Sequence, residues 1–172
     1  MRTYTSLRDV PERPPAGGLK DAEDSGLGGD GMIDHYGSCH CGVLTVRYRT
    51  ALAKESWAVR ACQCSFCRSR GALTTSDPEG EIEFTAADRT QLRRYRFGTR
   101  TTDFMLCATC GSYLGAQTQT AAGRFGILNL RYVPAPRGDW AAPEAMDYGA
   151  ETLEARRARR EARWTPVLLS SL

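Results

Sequence analysis

Ala61-Cys62-Gln63-Cys64-Ser65-Phe66-Cys67-Arg68 places three cysteines within six residues, in the pattern C-x-C-x-x-C. Two further pairs flank it at a distance. Cys39 and Cys41 lie in Gly37-Ser38-Cys39-His40-Cys41-Gly42, and Cys107 and Cys110 in Leu106-Cys107-Ala108-Thr109-Cys110-Gly111. Zinc takes thiolates in tetrahedral array, with four protein ligands in structural sites and three plus an open position in catalytic ones. The spacing leaves two partitions open. In one, Cys39, Cys41, Cys107 and Cys110 close a four-thiolate site, and Cys62, Cys64 and Cys67 form a second site that lacks a ligand. In the other, Cys64 and Cys67 join Cys107 and Cys110 in a zinc ribbon, stranding a C-x-C pair. A site built from pairs so far apart in sequence would clip two distant loops, a strong constraint on a small domain.

Three thiolates bring a zinc ion to a formal charge of about −1. Such a site activates water weakly, but it binds an incoming thiol and holds it as a thiolate. A thiolate is a nucleophile suited to an aldehyde carbonyl. The residue types therefore favour thiol addition, or its reversal, over zinc-hydroxide hydrolysis.

The chain has 172 residues, 41% apolar and 25% charged, which suits one domain with a real core. A net charge of +3 is too small to call for a nucleic-acid partner. All but Lys20 and Lys54 of the cations are Arg, read here as a bias of composition. No apolar stretch is long enough to cross a membrane, and the N-terminus carries no apolar leader. With seven cysteines, an odd number, a disulfide framework is disfavoured and a reducing compartment, the cytoplasm, is expected.

Residues 1–31 are rich in Pro, Gly and mixed charge, with no hydrophobic period, and are expected to be disordered. Met32, just before the first motif, is a candidate translational start. From Ile33 the sequence reads as short strands broken by turns. These are Val43 to Arg49, Trp57 to Arg60, Gly71 to Thr75, Glu81 to Phe84, Leu92 to Phe97, Asp103 to Leu106 and Phe125 to Val133. This predicts an all-β domain over residues 32–150. Residues 151–172 form a separate extension, with a helix predicted over Glu151 to Trp164 and a stop at Pro166. The helix is read as a solvated Arg-rich face pinned by Trp164.

Several residues near the motifs have a bland and a sharp reading. His40 sits between two ligands, but neighbours on an extended segment point oppositely, so a surface role is expected. For His35 a proton shuttle is set aside in favour of a structural role. Arg68 and Arg70 either hold a substrate carboxylate or are solvated. Ser65 and Phe66 either line the substrate opening or support a cysteine sulfur. Asp103 is a weak candidate for a fourth ligand. Trp57, Phe84, Tyr95, Phe97 and Phe125 are read as core.

The three cysteine motifs together, from about His35 to about Val133, resemble the glutathione-dependent formaldehyde-activating enzyme family, whose domain is shared with centromere protein V. The resemblance implies a β-tent fold and two zinc ions per chain. It implies a structural zinc on Cys39, Cys41, Cys107 and Cys110 and a catalytic zinc on Cys62, Cys64 and Cys67. It also implies condensation of formaldehyde with glutathione to S-hydroxymethylglutathione, a carbon–sulfur lyase reaction written in reverse. The alternative is a zinc-stabilised module that binds protein or nucleic acid without catalysis, the Arg-rich helix being its one candidate patch. A redox or metal-buffering protein is the third possibility.

Overall fold

The computed structural model describes residues 31–133 and 140–168. The tail expected to be disordered lies outside the described residues except for Gly31. Among the described residues eleven strands and two α-helices follow in order. The first half holds β1 (Ile33–Ser38), β2 (Leu44–Thr50), β3 (Arg60–Cys62), α1 (Ser65–Ser69), β4 (Thr74–Thr75) and β5 (Glu81–Ala86). The second half holds β6 (Leu92–Tyr95), β7 (Asp103–Cys107), β8 (Tyr113–Gln119), β9 (Arg124–Asn129), β10 (Glu144–Met146), α2 (Leu153–Arg163) and β11 (Thr165–Pro166). The protein is mostly sheet with few short helices, the all-β class expected from the sequence. Among the described residues no helix is long and apolar enough to cross a membrane.

The alternation in β2 buries Leu44, Val46, Tyr48 and Thr50 and turns the residues between them outward. β2 is the centre of a three-stranded sheet, β1-β2-β5, antiparallel throughout. The larger sheet runs β10-β3-β4-β9-β8-β7-β6, with β11 also paired to β9. β8 covers one edge of β9, and the other edge is shared end to end by β4 and β11. Only β10 against β3 is parallel in the larger sheet.

The larger sheet is buried on both faces. Met105, Leu114 and Leu128 pack with Val46, Tyr48, Trp57, Ile82 and Phe84 in the core beneath the small sheet. Leu106, Tyr113 and Ala116 face the other way and pack with Phe66, Cys67 and Ala72. A bulge sets which residue faces which side. Met105 pairs with Gly115 and Leu106 with Tyr113, so Leu114 is an extra residue in β8. Without it, strict alternation from Ala116 would turn Tyr113 into the first core.

Three differences from the sequence reading have physical causes. The strand expected over Phe125 to Val133 ends at Asn129, whose side chain accepts a hydrogen bond from Arg131 N–H and starts a 3-10 turn. β8 was not foreseen, because a strand buried on both faces lacks the polar–apolar alternation that marks half-buried ones. The segment Trp57 to Arg60 is largely extended loop, and pairing starts at Arg60.

The segment after α2 is sewn into the domain. Ser76 Oγ donates to Arg163 O (2.6 Å), and Asp77 N donates to Thr165 Oγ1 (2.9 Å). Val167 N donates to Arg124 O and Leu168 N to Ile82 O. Thr152 caps the helix start, its hydroxyl accepting from Ala155 N–H.

Gly115 lies where β8 passes close to both neighbours. A Cβ there would come 2.2 Å from the carbonyl oxygen of Ile127 and 2.9 Å from the Phe84 ring. Neither backbone nor packed ring can yield far, so Gly115→Ala is expected to cost about 3 kcal/mol of stability in a denaturant titration. An unchanged midpoint would refute this packing.

Candidate metal centres

The turn Gly37 to Gly42 brings Cys39 and Cys41 together, closed by Gly42 N–H donating to Cys39 O (3.0 Å), with Gly42 at φ +79°. The end of β7 repeats the device: Gly111 N–H donates to Cys107 O, and Gly111 has φ +73°. Glycine takes this left-handed backbone without cost. Ser112 ties the two turns, accepting from His40 N–H (3.2 Å) and contacting Cys110 Sγ (3.2 Å). The four sulfurs of Cys39, Cys41, Cys107 and Cys110 lie within 4.8 Å of one another. Sulfurs about 2.3 Å from a tetrahedral zinc stand about 3.8 Å apart. Here Cys41 Sγ is 3.5 Å from both Cys39 Sγ and Cys107 Sγ. Backbone N–H groups of Leu44 and Cys110 donate to Cys39 Sγ and Cys107 Sγ, as thiolate ligands require.

The second cluster forms where β3 ends and α1 begins. Cys62 closes β3, Cys64 caps α1 by accepting from Cys67 N–H (3.5 Å), and Cys67 lies in the helix. Their sulfurs also lie within 4.8 Å of one another. Phe66 anchors the loop among Tyr95, Phe97, Phe104 and Tyr113, at centroid distances of 5.5, 5.4, 4.6 and 5.1 Å. The sulfurs thus group as four and three, and the ribbon partition is not the one the fold makes.

Crowding shows in the acidities. Burial pushes Cys41 up to about 12, and the thiols around it add to the rise. Burial also pushes Cys110 up, but the hydroxyl and backbone N–H of Ser112 outweigh it and bring the thiol down to about 6. In the second cluster a hydrogen bond from Cys67 brings Cys62 down to about 6, against the effect of burial. That bond, joined by burial, pushes Cys67 far up. Thiols this close cannot all ionise without a cation among them. Both donor sets therefore suit a soft divalent metal, and each cluster could hold one ion.

A cavity of about 220 Å³ opens beside the second cluster, with Cys62, Cys64 and Cys67 in its wall. Phe97, Phe104 and Tyr113 form one side. Also in the lining are Arg60 on β3, Tyr148, and Arg156, Arg159, Arg160 and Trp164, all outside the cysteine motifs. The closed four-cysteine cluster has no part in this cavity.

The remaining candidates fall into place. His40 is exposed, as expected, and His35 is buried edge-on against Trp57 (4.9 Å). Asp103 is a partner of Arg96 and belongs to neither cluster. Arg68 is exposed, and Arg70 stacks on Phe66 at 4.0 Å, so neither lines the cavity. Ser65 is exposed and Phe66 is packed behind the loop. Trp57 and Phe84 are core, whereas Tyr95 is 43% exposed and Phe97 lines the cavity. The helix read as a solvated face is so on one side only, with Trp164 buried as its pin: Arg160 is 93% buried, and the face with Arg156, Arg159 and Arg160 turns inward. Their spacing of three and four residues placed them on one helical face, a signal legible in the sequence.

Comparison with curated proteins gives no match. A solved structure of a Rhodobacter sphaeroides protein, a structural-genomics target, is similar at 27% identity with a TM-score of 0.45. The similarity covers 64% of this chain and 99% of that one. Among protein families, residues 34–147 match the glutathione-dependent formaldehyde-activating enzyme. The match spans all seven cysteines and most of the described strands, and the chain belongs to that family.

Proposed function

We propose that the protein is a zinc-dependent carbon–sulfur lyase that joins a small thiol to an aldehyde beside Cys62, Cys64 and Cys67. The observation that carries this reading is a three-sulfur cluster opening on a cavity, while the other four sulfurs form a separate set that takes no part in it. In this reading Cys39, Cys41, Cys107 and Cys110 hold a structural zinc, and Cys62, Cys64 and Cys67 hold a second. Zinc bound by three thiolates supplies an open coordination position and lowers the pKa of an incoming thiol.

The protein's own residues have separate tasks. Cys64 and Cys67 are fixed by the cap of α1, and Cys62 by the end of β3, so the sulfurs are set before a substrate arrives. Phe97 and Phe104 give the cavity an apolar side that limits water. Tyr113 is 99% buried, and its hydroxyl has no hydrogen-bond partner among the described residues. Burial, joined by the three nearby thiols, holds its pKa well above the usual phenol value, so it stays a donor at neutral pH. An unpartnered buried donor is costly and calls for an acceptor from the ligand. The aldehyde oxygen is such an acceptor. In the forward direction the sulfur–carbon bond forms, the carbonyl π pair moves to oxygen, and the thiol's proton ends on that oxygen. The Tyr113 hydroxyl stabilises the oxygen as charge builds on it. The reverse step returns the proton to sulfur and releases thiol and aldehyde.

The family name points to glutathione and formaldehyde, so exchange NMR of that pair tests the reading. The zinc-loaded protein is expected to accelerate exchange between glutathione and its hydroxymethyl adduct. Tyr113→Phe should slow the exchange about 10²-fold with unchanged zinc content. Exchange no faster with protein than without it, for any small thiol, would refute the proposal. The two clusters should also differ in stability terms. Cys107→Ser removes a ligand from a clip joining turns 66 residues apart. It is expected to cost on the order of 3–5 kcal/mol. An unfolding midpoint equal to that of the wild type would show that the four-cysteine cluster is no clip.

A further inference from the structure

The lining of the cavity carries Arg60, Arg156, Arg159 and Arg160. Three of these come from α2, outside the residues matched to the family. The carboxylates beside them are Asp147, which lines the cavity, and Glu151, whose oxygens accept from Arg159 Nε and Nη2. Arg159 is thus largely satisfied, being also stacked on Tyr148 at 3.8 Å.

Arg156 and Arg160 are satisfied only in part, Arg156 by an ion pair with Glu151 and Arg160 by the Trp164 ring, which lies 5.1 Å from its guanidinium carbon. Arg156 donates from Nη2 to Tyr148 O, while its Nε is buried without a hydrogen-bond partner, 3.9 Å from Glu151. Arg160 is 93% buried, and the Glu151 carboxylate near it is engaged by Arg159. Its Nη1 donates to Thr101 Oγ1 (2.8 Å), and its Nε has no partner. Thr102 Oγ1, buried in the same wall, is also without one. Burial lowers the Arg160 pKa to about 10, and the charges of Arg156 and Arg159 add to the effect. Gathering like charges away from water is costly unless an anion completes the set. A carboxylate does so with charge-assisted hydrogen bonds suited to guanidinium geometry. The cavity, about 220 Å³, has room for a small organic anion. The same cavity is lined by Cys62, Cys64 and Cys67, so an anion bound there shares one space with whatever reacts at the cysteines.

We propose that Arg60, Arg156 and Arg160 form an anion subsite for a carboxylate carried a few bonds from the reacting sulfur or carbonyl carbon of the substrate. The proposal rests on the reading of Cys62, Cys64 and Cys67 as the reacting centre. It makes the helix beyond the family domain the part of the chain that selects the substrate.

Calorimetry on the zinc-loaded full chain reads the subsite with propionate, which has a carboxylate but neither thiol nor carbonyl carbon to react. Propionate is expected to bind the wild type about tenfold more tightly than its neutral isostere propionamide, and to lose that advantage in Arg156→Gln/Arg160→Gln. Equal binding of the two by the wild type overturns the proposal and needs no variant. Rates then locate the carboxylate. Mercaptoacetate is compared with 2-mercaptoethanol against formaldehyde, and glyoxylate with acetaldehyde against 2-mercaptoethanol. An advantage in the first pair assigns the carboxylate to the thiol, and one in the second to the aldehyde. Turnover with no advantage in either pair overturns the substrate assignment. Propionate binding without turnover of any pair overturns the thiol–aldehyde reading and leaves the anion subsite standing.

Discussion

Strands β7, β8 and β9 bury side chains on both faces, and this divides the chemistry of the molecule. One face completes the core with the small sheet, and at its edge Cys107 meets Cys39 and Cys41. The other packs the Cys62–Cys67 loop through Phe66 and leaves the cavity beside it. The division depends on the extra residue at Leu114, which lets Leu114 fill the first core while Tyr113 turns to the cysteines. A bulge beside a site commonly serves to re-aim one side chain. Here that side chain is the buried hydroxyl that has no partner of its own.

The cavity joins two kinds of charge. Its lining holds three crowded thiols, of which Cys62 is the acidic one, together with guanidinium groups. They are coupled across the space between them, since the charge of Arg159 helps to keep the Cys62 thiol acidic. Away from bulk water such interactions are screened less than on a surface. A helix that adds cations to this wall therefore acts on the sulfurs and on any anionic ligand together. The same helix is held by strand pairing of the residues that follow it, β11 on β9, so its face is fixed rather than free to turn outward.

Much of this was legible in the sequence. The short strands β2, β5 and β6 follow from alternation, and α2 from its helix formers and the stop at Pro166. The grouping of cysteines as four and three agrees with one of the two partitions the spacing allowed. What was not legible depends on tertiary context. β8 has no alternation because both its faces are covered. Tyr113 gave no signal because its direction is set by a bulge, which pattern reading along one strand cannot locate. The inward face of α2 was misread because charge runs are usually solvated. The spacing of Arg156, Arg159 and Arg160 showed that they share a face, but not that the face meets a cavity.

The central claim is that the fold sorts seven sulfurs into a closed structural set and an open, chemically active one. Zinc per chain, measured by mass spectrometry of the native protein and of Cys64→Ser, tests it most directly. The account predicts about two ions in the wild type and about one in the variant, with an unchanged unfolding midpoint. About one ion in both would contradict it, since the three-cysteine cluster would then hold no metal.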